Sequence, residues 1–250
     1  MNLGKYWRNK FDQLALKDMP VWQQASWWYE YIVENQKRFV DNGLRKHSGS
    51  KQLLVADIGC GPGINIQQLV KLGHKAVGLD YSINGLMVAK KSAGTDNCQL
   101  INGNVSFMPL KEKIFDAVLF FGVLQTADDP ERQIKQLSGL LKPNGILLMS
   151  TLRQHSIWEL PFWPIHILSL QGYYPCISNR NLEVIKSRDL LIPRPTDDKE
   201  QQLKRYSTDK IKSWLASAGF HKITFKYDGP LEYFPHLSNS IMTYVRAFKK

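Results

Sequence analysis

The glycine-rich segment that begins at Asp57 is the part of the sequence best suited to bind a small ligand. It follows the short apolar run Leu53–Ala56 and precedes a predicted helix that starts at Ile64, so it lies at a strand–turn–helix junction. Glycines let a backbone approach a ligand closely, and the first turn of a helix offers free N–H groups and the positive end of the helix dipole. The segment reads Asp57-Ile58-Gly59-Cys60-Gly61-Pro62-Gly63.

Two acidic residues narrow the choice of ligand. Asp57 ends a predicted strand just before the glycines, where a carboxylate repels a phosphate but attracts an ammonium group. Asp80 ends the second predicted strand about 20 residues later, and an acid at that distance can bind ribose hydroxyls. The spacing Gly-x-Gly-x-Gly also differs from the Gly-x-Gly-x-x-Gly of dinucleotide sites. The implied ligand has a ribose and an amino group, and S-adenosylmethionine fits this description.

With these motifs the chain resembles the class I S-adenosylmethionine-dependent methyltransferases, in the broad group that includes quinone-biosynthesis and other small-molecule methyltransferases. The resemblance is close over 51–151 and looser at the C-terminus. Asn104, in Gly103-Asn104-Val105, replaces the acid with which the family usually meets the adenine amino group, and its amide oxygen can still accept that bond. Phe115–Val118 and Leu140–Gly145 are similar to the start of the family's fourth strand and to the turn into its fifth.

The resemblance implies methyl transfer as the reaction and S-adenosylmethionine as the cofactor. After the fourth strand the family often has Leu-x-His, but this chain has Leu124-Gln125-Thr126, so the histidine that could act near the acceptor is absent. No metal is expected, because the three cysteines are far apart in the sequence. The residues expected at the cofactor are Asp57, Gly59, Cys60, Gly61, Gly63, Asp80, Tyr81, Asn104, Val105 and Phe121.

A carbon or hydroxyl acceptor also needs a base, within about 3 Å of the proton that it removes. No motif singles one out, and each candidate is also compatible with a surface or a packed residue. The candidates are His155, His166, Tyr173, Tyr174 and His236.

The elements around these motifs predict a Rossmann-like α/β fold. Strands and helices alternate over 53–149, and Phe115–Phe121 is apolar throughout, as a central parallel strand should be. Ser82, Asp129 and Ser207 are predicted helix caps. The resemblance adds a doubly wound, seven-stranded sheet, mostly parallel, with an antiparallel last strand.

We expect a single methyltransferase domain with four parts. A helical cap (1–50) precedes the cofactor-binding core (51–152), a helical lid or substrate insert (153–206) follows the fifth strand, and a C-terminal helix with two strands (207–250) completes the sheet. In the cap, a helix that begins at Pro20 is predicted to stop at Asn42-Gly43. The helix that begins at Asp129 is predicted to stop at Pro143-Asn144-Gly145.

The insert is the best indication of where an acceptor binds, because it follows the fifth strand near the carboxyl edge of the sheet. Its aromatic residues, with two from the cap, could enclose a small apolar or aromatic acceptor. They could equally pack the insert against the sheet, or lie at a membrane interface as a peripheral contact. These residues are Trp27, Trp28, Trp158, Phe162 and Trp163.

The net charge of +11 is compatible with a solvated basic surface or with an acidic partner such as nucleic acid or anionic lipid. Nucleic acid is the weaker alternative, because no RNA-binding module is evident. Cys60, Cys98 and Cys176 are expected to be reduced packing residues. No apolar run approaches the roughly 20 residues of a membrane span, and no signal peptide is evident, so we expect a cytoplasmic protein.

Two other functions stay open on the sequence alone. One is a protein that binds S-adenosylmethionine without catalysis, as a scaffold, and the missing histidine is compatible with it. The other is a nicotinamide-dependent oxidoreductase, against which the glycine spacing and Asp57 count.

Overall fold

The computed structural model describes most of the chain, including the whole region around the glycine turn. None of the helices in these ranges combines the length and the apolar character that crossing a bilayer requires. The described residues are 3–16, 21, 30–94, 97–152, 173–178, 181–186, 204–227 and 242–250.

Strands and helices alternate along the described residues, as predicted. The strands are β1 (Leu54–Ile58), β2 (Lys75–Asp80), β3 (Cys98–Asn102), β4 (Phe115–Phe121), β5 (Leu141–Leu152), β6 (Tyr173–Ser178), β7 (Asn181–Lys186), β8 (Phe220–Tyr227) and β9 (Met242–Lys249). The helices are α1 (Leu3–Ala15), α2 (Glu30–Ser48), α3 (Ile64–Lys71), α4 (Ile83–Ala93), α5 (Pro130–Leu140) and α6 (Thr208–Ser217), and a 3₁₀ turn (Leu124–Thr126) follows β4.

A seven-stranded sheet forms the core, in the order β3-β2-β1-β4-β5-β9-β8. β1 to β5 pair in parallel, whereas β9 runs antiparallel to both of its neighbours, β5 and β8. The predicted Rossmann-like sheet with an antiparallel last strand is confirmed. Because the strand order reverses beside β1, the carboxyl ends of β1 and β4 flank the point where ligands bind in such sheets.

Both faces of the sheet are covered, which explains why its central strands are apolar throughout. On one face, α5 and α6 bury Ile134 and Ile211 against β4 and β5. On the other, α2 and α3 bury Val40 and Ile66. Three helices begin at the predicted caps: the side chains of Ser82, Asp129 and Ser207 accept from the backbone N–H groups of Gly85, Arg132 and Lys210.

Two predicted helix ends are wrong. α2 continues through Asn42-Gly43 to Ser48, because Gly43 serves a close contact: a Cβ there would lie 2.8 Å from Cδ1 of Leu148. α5 ends at Leu140, before the Pro143-Asn144-Gly145 turn. Leu141 already pairs with Phe115 of β4, so the turn forms an irregularity within β5 instead of ending the helix.

The insert at 153–206 contains strands where a helical lid was predicted. β6 and β7 form an antiparallel two-stranded sheet of their own. Aromatic and β-branched residues such as Tyr173, Ile177 and Val184 favour strands over helices, which accounts for the difference. The rest of the aromatic insert, including Trp158, Phe162 and Trp163, lies outside the described residues, as do Trp27 and Trp28.

Substituting alanine for two helical glycines should separate close packing from helix propensity. Gly43→Ala places a methyl group against the fully buried Leu148, and overpacking of this kind costs about 1–3 kcal/mol. At Gly139 in α5 the nearest atom to a new Cβ is Oε1 of Glu112 at 3.6 Å, so alanine fits there and gains about 0.5–1 kcal/mol from the lower entropy of the unfolded chain. The midpoints of urea unfolding of the two variants should shift in opposite directions from that of the parent. Equal stabilisation of both would show that α2 does not need a glycine at this contact.

Candidate functional site

A cavity of about 390 Å³ lies at the carboxyl edge of the sheet. Its volume is within the range of roughly 300–1,000 Å³ that is usual for ligand pockets. The turn after β1, the residues that follow β2, β3 and β4, and Ser150 of β5 form its floor. Helices α1 and α2 contribute Arg8, Phe11, Val33 and Gln36 to its wall.

The glycine turn is built from backbone that other residues rarely adopt. Gly59, Gly61 and Gly63 have φ angles of 79°, 50° and 85°. A Cβ on Gly59 would lie 2.3 Å from Cγ2 of Val123, whereas one on Gly61 would meet no atom within 4 Å. The free space at Gly61 is the cradle that a ligand lying against the backbone requires.

Gly63 has a different role from the one predicted. A Cβ there would lie 2.7 Å from Cβ of Ala89, so this glycine lets α3 approach α4 closely. It does not line the cavity.

Asp80 faces the cavity and also holds the glycine turn. Its Oδ2 accepts from the backbone N–H of Gly61 at 2.8 Å, and its Oδ1 accepts from that of Ser82 at 2.8 Å. Burial raises the pKa of the Asp80 carboxyl, and these N–H groups act in the opposite direction. Each carboxylate oxygen has a further lone pair, so the group can still accept from ligand hydroxyls.

Asp57 lies behind the cavity wall, not on it. Its side chain is 1% exposed, and its Oδ1 accepts from Nδ2 of Asn65 at 3.2 Å. Its other oxygen, Oδ2, is buried and has no hydrogen-bond partner among the described residues. Burial raises the pKa of Asp57 to about 7, and the nearby charge of Asp80 adds to the rise. No cationic side chain in the described part of the chain forms a salt bridge with this carboxylate.

The turn after β3 carries Asn104, the residue predicted for the adenine amino group. Its Oδ1 accepts from the backbone N–H of Ser106 at 2.8 Å, and its carbonyl oxygen accepts from that of Phe107 at 2.9 Å. One lone pair of the side-chain oxygen therefore fixes the turn, and the second stays available. All of the predicted cofactor residues except Asp57 and Gly63 line the cavity.

Helix α1 contributes residues that the sequence gave no reason to expect. Oδ1 of Asp12 accepts from the hydroxyl of Ser82 at 2.6 Å, across 70 residues of sequence. The guanidinium of Arg8 lies 4.8 Å from the centroid of the Tyr81 ring, a cation–π contact. These contacts hold α1 against the β2 side of the cavity. Gln36 and Asn65 also line the cavity unpredicted, since neither belongs to a motif.

The 3₁₀ turn after β4 brings Gln125 and Thr126 to the cavity, and Thr126 stands where the related sequences often have a histidine. The hydroxyl of Thr126 donates to the carbonyl of Val123 at 2.8 Å, so it is not a free base. Burial raises the pKa of the Cys60 thiol well above its ordinary value and keeps it neutral. Of the base candidates, His155, His166 and His236 lie outside the described residues, and only the backbone of Tyr173 and Tyr174 is described.

The described cysteines, Cys60 and Cys98, are free thiols; the side chain of Cys176 is outside the described part of the chain. Across the described ranges, no group of three or more His, Cys, Asp or Glu residues is arranged to hold a metal ion.

Comparison with known proteins decides the family. Residues 56–149 match the family described as "Methyltransferase domain". Over these residues the chain carries a methyltransferase domain. S-adenosylmethionine is the cofactor that the sequence motifs imply for this methyltransferase domain. The structure fits that cofactor, because it combines the open cradle at Gly61, the Asp80 carboxylate and an Asp57 oxygen with no partner among the described residues.

Relatives of the methyltransferase share its core over different lengths. An uncharacterized protein of Methanocaldococcus jannaschii is 28% identical over 199 residues, 78% of this chain and 72% of that protein. A mitochondrial ubiquinone biosynthesis O-methyltransferase of Dictyostelium discoideum is 32% identical over 152 residues, 54% of this chain and 47% of that protein. The match spans about half the length of the curated O-methyltransferases.

The similarity in fold to one solved structure covers the full length of both chains. Magnesium protoporphyrin IX methyltransferase from Synechocystis PCC 6803, solved with bound S-adenosylhomocysteine, is similar with a TM-score of 0.64 and 16% identity, and all of both chains is covered.

The methyltransferase without ligand should lose stability as the pH rises because of Asp57. Its pKa is raised from 3.8 to about 7 on folding, so between these values the folded state binds more protons than the unfolded state. The stabilisation is complete at pH below about 4 and is lost as the pH rises through about 7, at about 1 kcal/mol per pH unit. Asp57→Asn cannot ionise and removes this dependence. Urea unfolding of parent and variant at pH 5 and pH 8 measures the difference, and parallel pH profiles would contradict the buried, unpaired carboxylate.

Proposed function

We propose that the protein transfers the methyl group of S-adenosylmethionine to an oxygen atom of a small, apolar or aromatic acceptor. The observation that carries the proposal is the composition of the cavity beyond the glycine turn. Phe11, Val33, Phe121 and Val123 line it with apolar surface, and they share one cavity with Asp80. The name of the Dictyostelium relative, a ubiquinone biosynthesis O-methyltransferase, supports oxygen as the methyl-accepting atom.

The adenosine part of the cofactor fits the β2 and β3 side of the cavity. There the Asp80 carboxylate would accept from the ribose hydroxyls, and Asn104 would accept from the adenine amino group through its remaining lone pair. Tyr81 and Val105 would enclose the adenine and the ribose with apolar surface. The backbone at Gly61 would lie under the ligand, since a side chain at that position would fill the free space.

When bound, S-adenosylmethionine supplies a methyl group on a positively charged sulfur, and the lone pair of an acceptor displaces that sulfur from the methyl carbon. The chain contributes position: aligned reactants gain effective molarities of about 10⁵–10⁸ M over free solution. The acceptor would lie on the β4 and β5 side, where Gln125, Thr126 and Ser150 offer neutral hydrogen-bonding groups and Phe11 and Val33 exclude water. His155, His166, Tyr173, Tyr174 and His236 stay as candidates for the base.

Removing the Asp80 carboxylate should abolish tight cofactor binding without unfolding the protein. Asp80→Ala is expected to weaken S-adenosylhomocysteine binding by about tenfold or more, because a hydrogen bond to a charged group contributes about 1.5–3 kcal/mol. Asp116→Ala is the matched control: this carboxylate also accepts from a backbone N–H, that of Leu54 at 2.9 Å, but it lies outside the cavity. Calorimetry should detect weaker binding in the first variant only. Equal binding by both variants would contradict the placement of the ribose.

The acceptor class can be tested with matched compounds. Labelled S-adenosylmethionine is incubated with the protein and one of two acceptors that share an aromatic ring and an apolar tail, one with a phenolic hydroxyl and one with a carboxyl group. We expect label on the phenolic oxygen. Label on the carboxylate alone, or on RNA added in parallel, would contradict the proposed acceptor. Tight cofactor binding with no transfer to any class would favour the non-catalytic scaffold.

A further inference from the structure

We infer that Gln36 and Asn65, on α2 and α3, form the site that receives the amino group of the cofactor's amino-acid end, and that Asp57 fixes their orientation from behind. Neither residue belongs to the glycine motif. The inference depends on the cofactor of the family and not on which acceptor is methylated, so the two proposals can fail separately.

The direction of two hydrogen bonds carries the inference. Nδ2 of Asn65 donates to Oδ1 of Asp57 at 3.2 Å, and Oδ1 of Asn65 accepts from Nε2 of Gln36 at 2.9 Å. An ionised carboxylate can only accept, so it turns the amino end of Asn65 towards itself. The side-chain oxygen of Asn65 then faces Gln36 and accepts a hydrogen bond from its amide nitrogen. The carbonyl oxygen of Gln36 is left at the outer end of this chain of bonds.

The position of the three side chains suits a cationic ligand group. Gln36 and Asn65 line the cavity, whereas Asp57 is 1% exposed and does not. The described residues provide no hydrogen-bond partner for Oε1 of Gln36 or for Oδ2 of Asp57. An ammonium group at Gln36 would therefore donate to a carbonyl oxygen and lie near a buried negative charge, which is weakly screened there.

The contact between α2 and α3 also offers a matched control. Nε2 of Gln68 donates to the carbonyl oxygen of Lys37 at 2.7 Å and so joins the same two helices. Gln68 does not line the cavity. Substituting leucine for either glutamine removes one bond between α2 and α3, but only Gln36→Leu removes a group that faces the ligand.

The experiment compares two ligands that differ only at the amino-acid end. S-adenosylhomocysteine carries the amino group, whereas 5′-methylthioadenosine has the same adenosine and a methyl group in place of the amino-acid end. Measured by calorimetry, the affinity for S-adenosylhomocysteine should fall by about tenfold or more in Gln36→Leu, because a hydrogen bond to a charged group is lost. Its affinity for 5′-methylthioadenosine should be unchanged. Gln68→Leu should bind both ligands as the parent does.

Three results would overturn the inference: an equal loss of affinity for both ligands in Gln36→Leu, no loss for either, or the same losses in Gln68→Leu. Thermal melts establish that each variant is folded, and Gln36→Met provides an unbranched replacement if the leucine variant does not fold. Binding of S-adenosylhomocysteine by the parent without methyl transfer to any acceptor would leave this inference intact and contradict only the proposed function.

Discussion

The turn after β1 is fastened to the end of β2, and the rest of the site depends on that attachment. The N–H groups of Gly59 and Cys60 both donate to the carbonyl of Leu79, at 2.7 and 3.1 Å, and that of Gly61 donates to Asp80. These bonds keep the positive-φ backbone beside a carboxylate, where β1 and β2 pair in parallel. Asp80 therefore fixes the turn and faces the ligand at once, so the shape of the cradle and its chemistry cannot vary independently.

The same attachment brings two acids into buried surroundings. Burial raises the pKa values of both Asp57 and Asp80. The charge of Asp80 adds to the rise at Asp57, and the charge of Asp12 adds to the rise at Asp80. Neither carboxylate takes part in a salt bridge within the described part of the chain. The proposed cationic ligand group would offset this unfavourable burial of charge, so the site would gain affinity at the expense of the stability of the unliganded protein.

The sequence predicts the centre of the fold better than its edges. Capping residues and apolar runs act over a few positions, so Ser82, Asp129 and the strand Phe115–Phe121 identify their elements locally. The same local approach gives the wrong helix end at Gly43, because glycine is typical of helix ends. Only the contact with Leu148 in the folded protein shows why Gly43 lies within α2. The two-stranded sheet in the insert was missed because proline and aromatic residues there gave no clear period.

The candidate site divides in the same way. Gly61, Asp80 and Asn104 were predicted to lie together, because the parallel sheet brings its carboxyl ends to one edge, and all three line the cavity. Gln36 was not, because its role depends on Asn65, which lies 29 residues further along the chain. The depth of Asp57 was also not predictable, since the sequence places a side chain on a strand end but does not show which neighbour covers it.

The bond between Asp12 and Ser82 sets an order on how the protein forms during synthesis. Helix α1 is translated before α4, and its partner Ser82 does not exist until the chain is 70 residues longer. Closing a loop of that length has an entropic cost that local contacts cannot recover in advance. A 13-residue helix is marginal in water by itself, so α1 gains its stability from the finished core. Helix α1 is therefore expected to dock late although it is translated before α4, and the wall that it adds to the cavity is expected to form with that docking.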